Sequence, residues 1–298
     1  MSKARELASL GNAYSDGSLS NRNLIINGGL SVWQRGVSFS NAWNYGADRW
    51  VHPVAQTKGQ SASEGSYSTF TGQGSANGAY AFTSVELPTV GNNFPFTVGK
   101  TFTLSFRVNS TSRVKPYFDF RNGVVGASNG FTTDTIDYKG GSGSWETVSW
   151  TVTVTATCGG SDNCLSISFG HEDANASVSM TQVQLEVGDT ATPFEHRSYG
   201  QELALCQRYY QNLSDQWWWR SGTVSSSATG NRESIPLAST MRASPTTAIA
   251  GTNGLINIAT GYPQINIAYT KSVVIDVVVN TVGSHFRYGL AFTADAEL

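Results

Sequence analysis

Apolar residues recur at every second position in Phe102-Thr-Leu-Ser-Phe-Arg-Val108 and again in Val148-Ser-Trp-Thr-Val-Thr-Val154. That period places them on one face of an extended strand and leaves the alternate residues wet. Leu165, Ile167 and Phe169 repeat the pattern. In Val178-Ser-Met-Thr-Gln-Val-Gln-Leu-Glu-Val187 the apolar phase slips by one between Met180 and Val183, which predicts a β-bulge near Thr181 or Gln182. Clusters of Gly, Asn and Ser separate these runs, and the stretches 72–78 and 122–130 read as surface loops. With no long helical pattern between the strands, the region from Leu24 to about Val187 predicts an antiparallel β-sandwich.

The clearest helical period lies in Tyr199-Gly-Gln-Glu-Leu-Ala-Leu-Cys-Gln-Arg-Tyr-Tyr-Gln211, with Leu203, Cys206 and Tyr210 on one side and Leu205 and Tyr209 beside them. It follows Thr192-Pro193, a natural boundary, and reads as a link between domains. Beyond it, Ile265–Tyr269, Val273–Val279 and Phe286–Phe292 alternate again. Near the start, Ala4, Leu7, Ala8 and Leu10 fall on a short helical period that Gly11-Asn12 breaks. The expected organisation is a mainly β chain: an N-terminal anchoring segment 1–22, a β-sandwich 23–197, a linking helix 198–212 and a smaller β-domain 213–298. Residues 23–36 read as the first strand of the sandwich and 183–188 as part of its last.

Charge changes the picture by its scarcity. Charged residues make up 13% of the 298, against about 25% in ordinary globular proteins. The surface is polar but mostly uncharged, suited to recognition through hydroxyls, amides and aromatic faces. A net charge of −2 supplies no clustered Lys and Arg for phosphate neutralisation, so nucleic acid is not an expected partner. No run reaches the roughly 18 apolar residues of a membrane-spanning helix. The opening Met-Ser-Lys-Ala-Arg-Glu-Leu-Ala-Ser-Leu-Gly11 carries Glu6 where a signal peptide needs its apolar centre.

Chemistry-bearing groups are sparse. Cys158 and Cys164 enclose five residues between strand-like segments and are either bonded across a hairpin or two reduced thiols at a turn. Cys206 reads as a small apolar core residue. His52, His171, His196 and His285 sit in no nucleophile or metal spacing, and His171-Glu172-Asp173 reads as a solvated turn. No active site emerges.

Aromatic residues are the better candidates. In Gln216-Trp-Trp-Trp-Arg220 a strand would put Trp217 and Trp219 on one face and Trp218 on the other, so at least one ring is buried or offered to a ligand. Sugar C–H faces stack on indoles, and Arg220 could donate to sugar hydroxyls. The competing reading is that these rings fill an interface. Trp43 and Tyr45, in the polar stretch before Trp50, could likewise form a sugar platform or cap the sandwich core.

Several phrases together resemble tail-fibre or receptor-binding proteins of tailed bacteriophages: Asn23-Leu-Ile-Ile-Asn-Gly-Gly-Leu-Ser-Val-Trp-Gln-Arg-Gly36, Ala47-Asp-Arg-Trp50, Gln184-Leu-Glu-Val-Gly188 with Thr192-Pro-Phe-Glu195, Glu202–Tyr210 and Ala294-Asp-Ala-Glu-Leu298. The first domain also resembles a carbohydrate-binding jelly roll of the galactose-binding type. Many such modules hold a structural calcium ion through an acidic residue in the final strand. Here Met180-Thr-Gln-Val-Gln184 has no carboxylate, leaving Glu186 and backbone carbonyls. The resemblance implies a homo-oligomer, a trimer in most of the family, carried on the virion among other tail proteins and touching a host-surface glycan or other receptor. It implies binding without catalysis and no cofactor. Two alternatives stay open: a structural tail or baseplate component that binds only virion proteins, and a glycan-cleaving tailspike.

Overall fold

The structure, a computed structural model, describes residues 22–40, 43–71, 79–86, 95–120, 130–132, 136–156, 164–223, 231–259, 261–281 and 284–297, without the side chains of residues 79, 164, 215–217, 220, 223 and 231. The helix expected in residues 3–10, the loop at 72–78, nearly all of that at 122–130 and the Cys158 half of the cysteine pair lie outside the described residues. The chain forms two compact units, Met1–Tyr199 and Gly200–Leu298.

Eleven described strands build the first unit: β1 Ser38–Phe39, β2 Asn44–Tyr45, β3 Trp50–His52, β4 Ala55–Ser61, β5 Gly65–Thr71, β6 Ala79–Glu86, β7 Thr101–Asn109, β8 Val114–Asp119, β9 Glu146–Thr153, β10 Cys164–His171 and β11 Val178–Val187. They form an antiparallel sandwich, with one sheet ordered β1-β4-β5-β11-β7-β9 and the other β2-β3-β6-β10-β8. From β5 to β11 each successive strand changes sheet, the alternation of a jelly roll. The core is the set of alternating residues expected from the sequence: Phe102, Leu104, Phe106 and Val108 from β7, Val148, Trp150 and Val152 from β9, and Leu165, Ile167 and Phe169 from β10 are all buried. Their rings interlock, with Trp150 stacked on Phe106 at 5.5 Å and Phe106 edge-on to Phe169 at 5.3 Å.

The predicted bulge sits where the phase slips. Pairing of β11 with β7 shifts between Thr181 and Gln184, and Gln182 adopts φ +53°. Beyond Met180, β11 no longer pairs with β5, and residues 23–28 take that place: Leu24 donates to the Leu185 carbonyl at 2.9 Å and Val183 to that of Gly28 at 2.8 Å.

Residues 23–36 are therefore not the first strand, as their pattern suggested. Asn27 at φ +57° and Leu30 at φ +48° bend the chain, and the amide side chains replace a strand's hydrogen bonds. Asn27 Oδ1 accepts from the N–H groups of Ser31 and Val32 at 2.9 and 3.0 Å, and its Nδ2 donates to the carbonyls of Val32 and Asp48 at 2.9 Å. Asn23 Oδ1 accepts from Ile25 and Leu185 at 3.0 and 3.1 Å while Nδ2 donates to Val183 at 2.9 Å. A Cβ at Gly28 would lie 2.1 Å from the Val183 carbonyl oxygen, so the close approach requires glycine.

The phrase at 192–197 closes the same junction. Glu195 accepts from the Asn23 N–H at 2.8 Å, Glu195 N–H donates to Gln184 Oε1 at 2.8 Å, and Arg197 donates to the Ile25 carbonyl at 3.1 Å. Asp48 accepts from the Gln34 N–H at 3.0 Å and the Trp50 indole donates to the Asn27 carbonyl at 3.0 Å. Phrases far apart in the chain are thus one interlocked structural junction.

The helix α1, Tyr199–Gln207, starts at the last residue of the first unit and otherwise belongs to the second; it buries Cys206 as expected and Glu202 as well. The helix is shorter than its sequence period suggested. Gln211 ends it by donating from Nε2 to the Gln207 carbonyl at 3.0 Å while its Oε1 accepts from the Ala238 N–H at 2.9 Å. Tyr210 then begins β12, Tyr210–Thr223, followed by β13 Asn231–Pro236, β14 Thr246–Ile256, β15 Gln264–Ala268, β16 Ser272–Val277 and β17 His285–Asp295. These strands make two three-stranded antiparallel sheets, β12-β17-β14 and β13-β16-β15. Leu213, Ile235, Val273, Ile275, Tyr288, Leu290 and Phe292 form their common core.

Candidate functional site

The outer face of the five-stranded sheet concentrates the first unit's available rings. Alternation decides which side chains stand there: Ile167 and Phe169 point into the core, so Ser166 and Ser168 point outward. Register then lines up one outward residue from every strand. Tyr45 pairs with Val51, Val51 with Phe82, Phe82 with Ser168, and Ser168 with Tyr117. Four interstrand spacings of about 4.8 Å make this row roughly 19 Å long.

The row is shaped by what leans on it. Trp43 lies 5.2 Å from Phe82, tilted by 39°, yet remains 64% exposed. Its inner side is held and its outer side is free. Ser168 stands between Phe82 and Tyr117 and leaves a gap of about 10 Å between two ring-bearing strands. At the far end Lys115 holds its ammonium 5.0 Å from the Tyr117 ring centre and 4.5 Å from that of Tyr138. Tyr117 is itself buried, and that burial, reinforced by a hydrogen bond with Tyr138, pushes its phenol well above the ordinary tyrosine range. At the near end the Arg35 guanidinium lies 4.9 Å over the Tyr45 ring. A second row, Ser84-Ser166-Asp119, runs beside the first. Ser168, Tyr117 and Asp119 are buried, so what the face offers is its Trp43 end: one exposed indole over the half-buried Phe82 with the half-buried Tyr45 beside it, a surface suited to a polyhydroxylated ligand with C–H faces.

Among the residues singled out from sequence, Trp43 and Tyr45 are brought together on this face. Within that polar stretch Tyr45 lies on the short strand β2. The set Trp217, Trp218, Trp219 and Arg220 lies in the other unit, on β12. The side chains of Trp217 and Arg220 lie outside the described residues. Trp218 packs against the core of the second unit, while Trp219 is 43% exposed over Gly289 with the Arg287 guanidinium 4.5 Å from its ring centre. Sequence reasoning missed Phe82, Tyr117, Tyr138 and Lys115. The signal was present locally, since Tyr117 is out of phase with buried Phe118, but the row exists only through pairing across five strands.

Other expectations change. His171 is buried at the end of β10 rather than in a solvated turn, stacked on Tyr80 at 5.8 Å. Glu172 is held by Arg113 at 2.5 and 2.7 Å. Glu186, the carboxylate left for calcium, accepts from the Thr192 N–H and hydroxyl at 2.8 and 2.7 Å and thereby ties down the segment after β11. Among the described residues no group of three His, Cys, Asp or Glu is placed to hold a metal.

No protein-family model matches the chain, and no curated protein matches it. Solved structures similar to it include the CBM22-1 xylan-binding domain of Paenibacillus barcinonensis Xyn10C, at 12% identity and TM-score 0.34, covering 52% of this chain and 95% of that one. A CBM61 module in complex with β-1,4-galactotriose matches at 10% identity and TM-score 0.33, covering 56% and 100%. The enzymatically active domain of bacteriophage CBA120 tailspike protein 4 matches at 11% identity and TM-score 0.36, covering 56% of this chain and 22% of that one. Likenesses this distant assign no ligand.

Proposed function

We propose that this chain is a non-enzymatic recognition subunit of a tailed-bacteriophage tail fibre, and that its first unit binds a host-surface glycan at the Trp43 end of this row, over Tyr45 and Phe82. The observation that carries the glycan reading is Trp43, fixed on Phe82 yet 64% exposed above that row. An indole so placed costs little conformational entropy on binding and offers one whole face to sugar C–H groups. Hydrolysis requires two carboxyl groups flanking the scissile bond, and the two rows of this face carry one described carboxylate, Asp119, which is buried, an arrangement that favours binding over cleavage.

The fibre reading is supported by the set of phrases spread from Asn23 to Leu298. A single open glycan face binds weakly. Several copies on one particle gain avidity without any new contact, so a homotrimer held by other tail proteins on the virion fits the reading. Purified chain should behave as an oligomer in light scattering, bind host cells and block phage adsorption. Blank glycan binding, together with tight binding to isolated tail proteins, would move the assignment to a structural tail component. Shortening of host polysaccharide on incubation would move it to a tailspike.

A further inference from the structure

We infer that copies of this chain meet through the uncovered core side of β14, so that one copy's strand supplies the cover that another's lacks. The inference rests on the oligomer of the fibre reading and gives it a contact surface. β14 ends the β12-β17-β14 sheet, beside β17. Residues directly opposed in an antiparallel pair share a face of the sheet. Ile249 opposes Phe292 and Thr252 opposes Leu290, and both of those partners are buried in the core. Ile249 and Thr252 therefore stand on the core side. Yet Ile249 is 41% exposed, Thr252 is exposed, and none of the 11 residues of β14 is buried.

In a two-layer sandwich the opposite sheet ordinarily covers the core side of a strand. Here that sheet ends at β15, which lies against β14 without covering it. The apolar ledge continues through Leu255, which is 47% exposed, and β15 adds Ile267 and, just past its end, Tyr269, both exposed. At roughly 3.3 Å per residue β14 runs for about 36 Å. Single exposed apolar residues are normal on a monomer, but an uncovered row of this length marks an interaction surface.

Charge indicates what covers it. From Ala243 to Thr270 there is no Asp, Glu, Lys, Arg or His, although charged residues make up 13% of the chain. The edge strands at the far ends of the two sheets are charged, β12 by Asp215 and Arg220 and β13 by Arg232 and Glu233. Such charges ordinarily keep a solvent-facing edge from pairing. A different protein can be matched by a complementary charge of either sign. Where identical strands meet about a symmetry axis, a charge faces its own copy and repels it, so self-contact demands neutrality. Ile249, Thr252 and Leu255 offer neither the rings that hold sugars nor the cations that hold phosphates. Register shifts between Ile249 and Gly251 and between Asn253 and Ile256 break the strand's regular edge, so contact is made by side chains rather than by extending the sheet.

The test is sedimentation velocity of the full chain over a concentration series, with Ile249→Lys, Thr252→Lys, Thr252→Glu and a control in the first unit, Val98→Lys, at another exposed residue. Near-ultraviolet circular dichroism checks folding, and the two Thr252 variants carry the test should Ile249→Lys misfold. Parent and control should be oligomeric, and each β14 variant should raise the concentration of half-assembly by at least about tenfold. Mixing Thr252→Lys with Thr252→Glu should restore assembly, because unlike charges then meet. An oligomeric parent whose β14 variants assemble as it does, or Thr252 variants that stay apart when mixed, would overturn the inference and leave the fibre reading standing on another contact. A monomeric parent would overturn the inference together with the oligomer of the fibre reading, while glycan binding that depends on Trp43 would still decide the sheet-face site.

Discussion

The indole of Trp43 rests on the ring of Phe82 at 5.2 Å and still keeps 64% of its surface in solvent. A ring held on one side and open on the other can take a ligand without first being ordered. Replacing Trp43 by Ala should therefore leave stability within about 0.5 kcal/mol of the parent. It should cost at least about 2 kcal/mol in glycan affinity, roughly thirtyfold. Affinity electrophoresis in host polysaccharide, with thermal midpoints measured in parallel, separates the two. Unchanged mobility would remove Trp43 from the site.

Gly28 and Gly29 are neighbours with opposite expected tolerance. Alanine at Gly28 would drive its Cβ to 2.1 Å from the Val183 carbonyl oxygen, whereas at Gly29 the nearest atom is Phe194 Cζ at 3.8 Å. Gly28→Ala must push residues 23–28 off β11 and break the Val183 to Gly28 hydrogen bond, a cost of about 2–3 kcal/mol. Gly29→Ala should unfold like the parent in urea. Equal midpoints for the two variants would mean that the junction is not packed as described.

This junction shows where legibility ended. Alternation in β7, β9 and β10 made the core readable, because a period of two needs only local sequence. The slip between Met180 and Val183 even located the bulge. The partner of the freed edge was not readable: residues 23–28 fill it only because Asn23 and Asn27 satisfy backbone groups 162 and 21 positions away. The ring row is hidden for the same reason. Tyr45, Phe82 and Tyr117 line up only through the register of four strand pairings, and no local pattern encodes register across a jelly roll. In the second unit the alternation of Trp218 and Trp219 on β12 was legible, while the end of α1 was not, since it depends on Gln211 reaching both Gln207 and Ala238.

Gln211 is 1% exposed, and its amide also donates to the Ser239 carbonyl at 2.9 Å. Gln211→Ala leaves the Gln207 carbonyl and the Ala238 N–H without their partner, at about 1–3 kcal/mol for each buried group left unsatisfied. Hydrogen exchange followed by mass spectrometry should show faster exchange in α1 and near Ala238. Peptides from β7, β9 and β10 should be unchanged. Faster exchange throughout the first unit as well would contradict the division into two compact units.

Acid should weaken the first unit through its buried histidines. Burial lowers the pKa of His52, only partly offset by its hydrogen bond to the Val54 carbonyl at 2.6 Å, and burial likewise lowers that of His171 against the opposing pull of Asp173. The unfolded chain takes up protons near pH 6.5, above the folded-state values, so it binds more protons than the native state over the interval between them. Stability is then full above pH 6.5 and falls as pH drops below it, by up to about 1.4 kcal/mol per pH unit for each histidine. Urea midpoints at pH 8.0, 6.5 and 5.5 should be level over the first step and drop over the second. His171→Phe keeps a ring against Tyr80 and removes one titrating group, so its drop should be shallower than the parent's. A parent midpoint independent of pH from 6.5 to 5.5 would show that both imidazoles reach solvent and ionise freely in the folded protein.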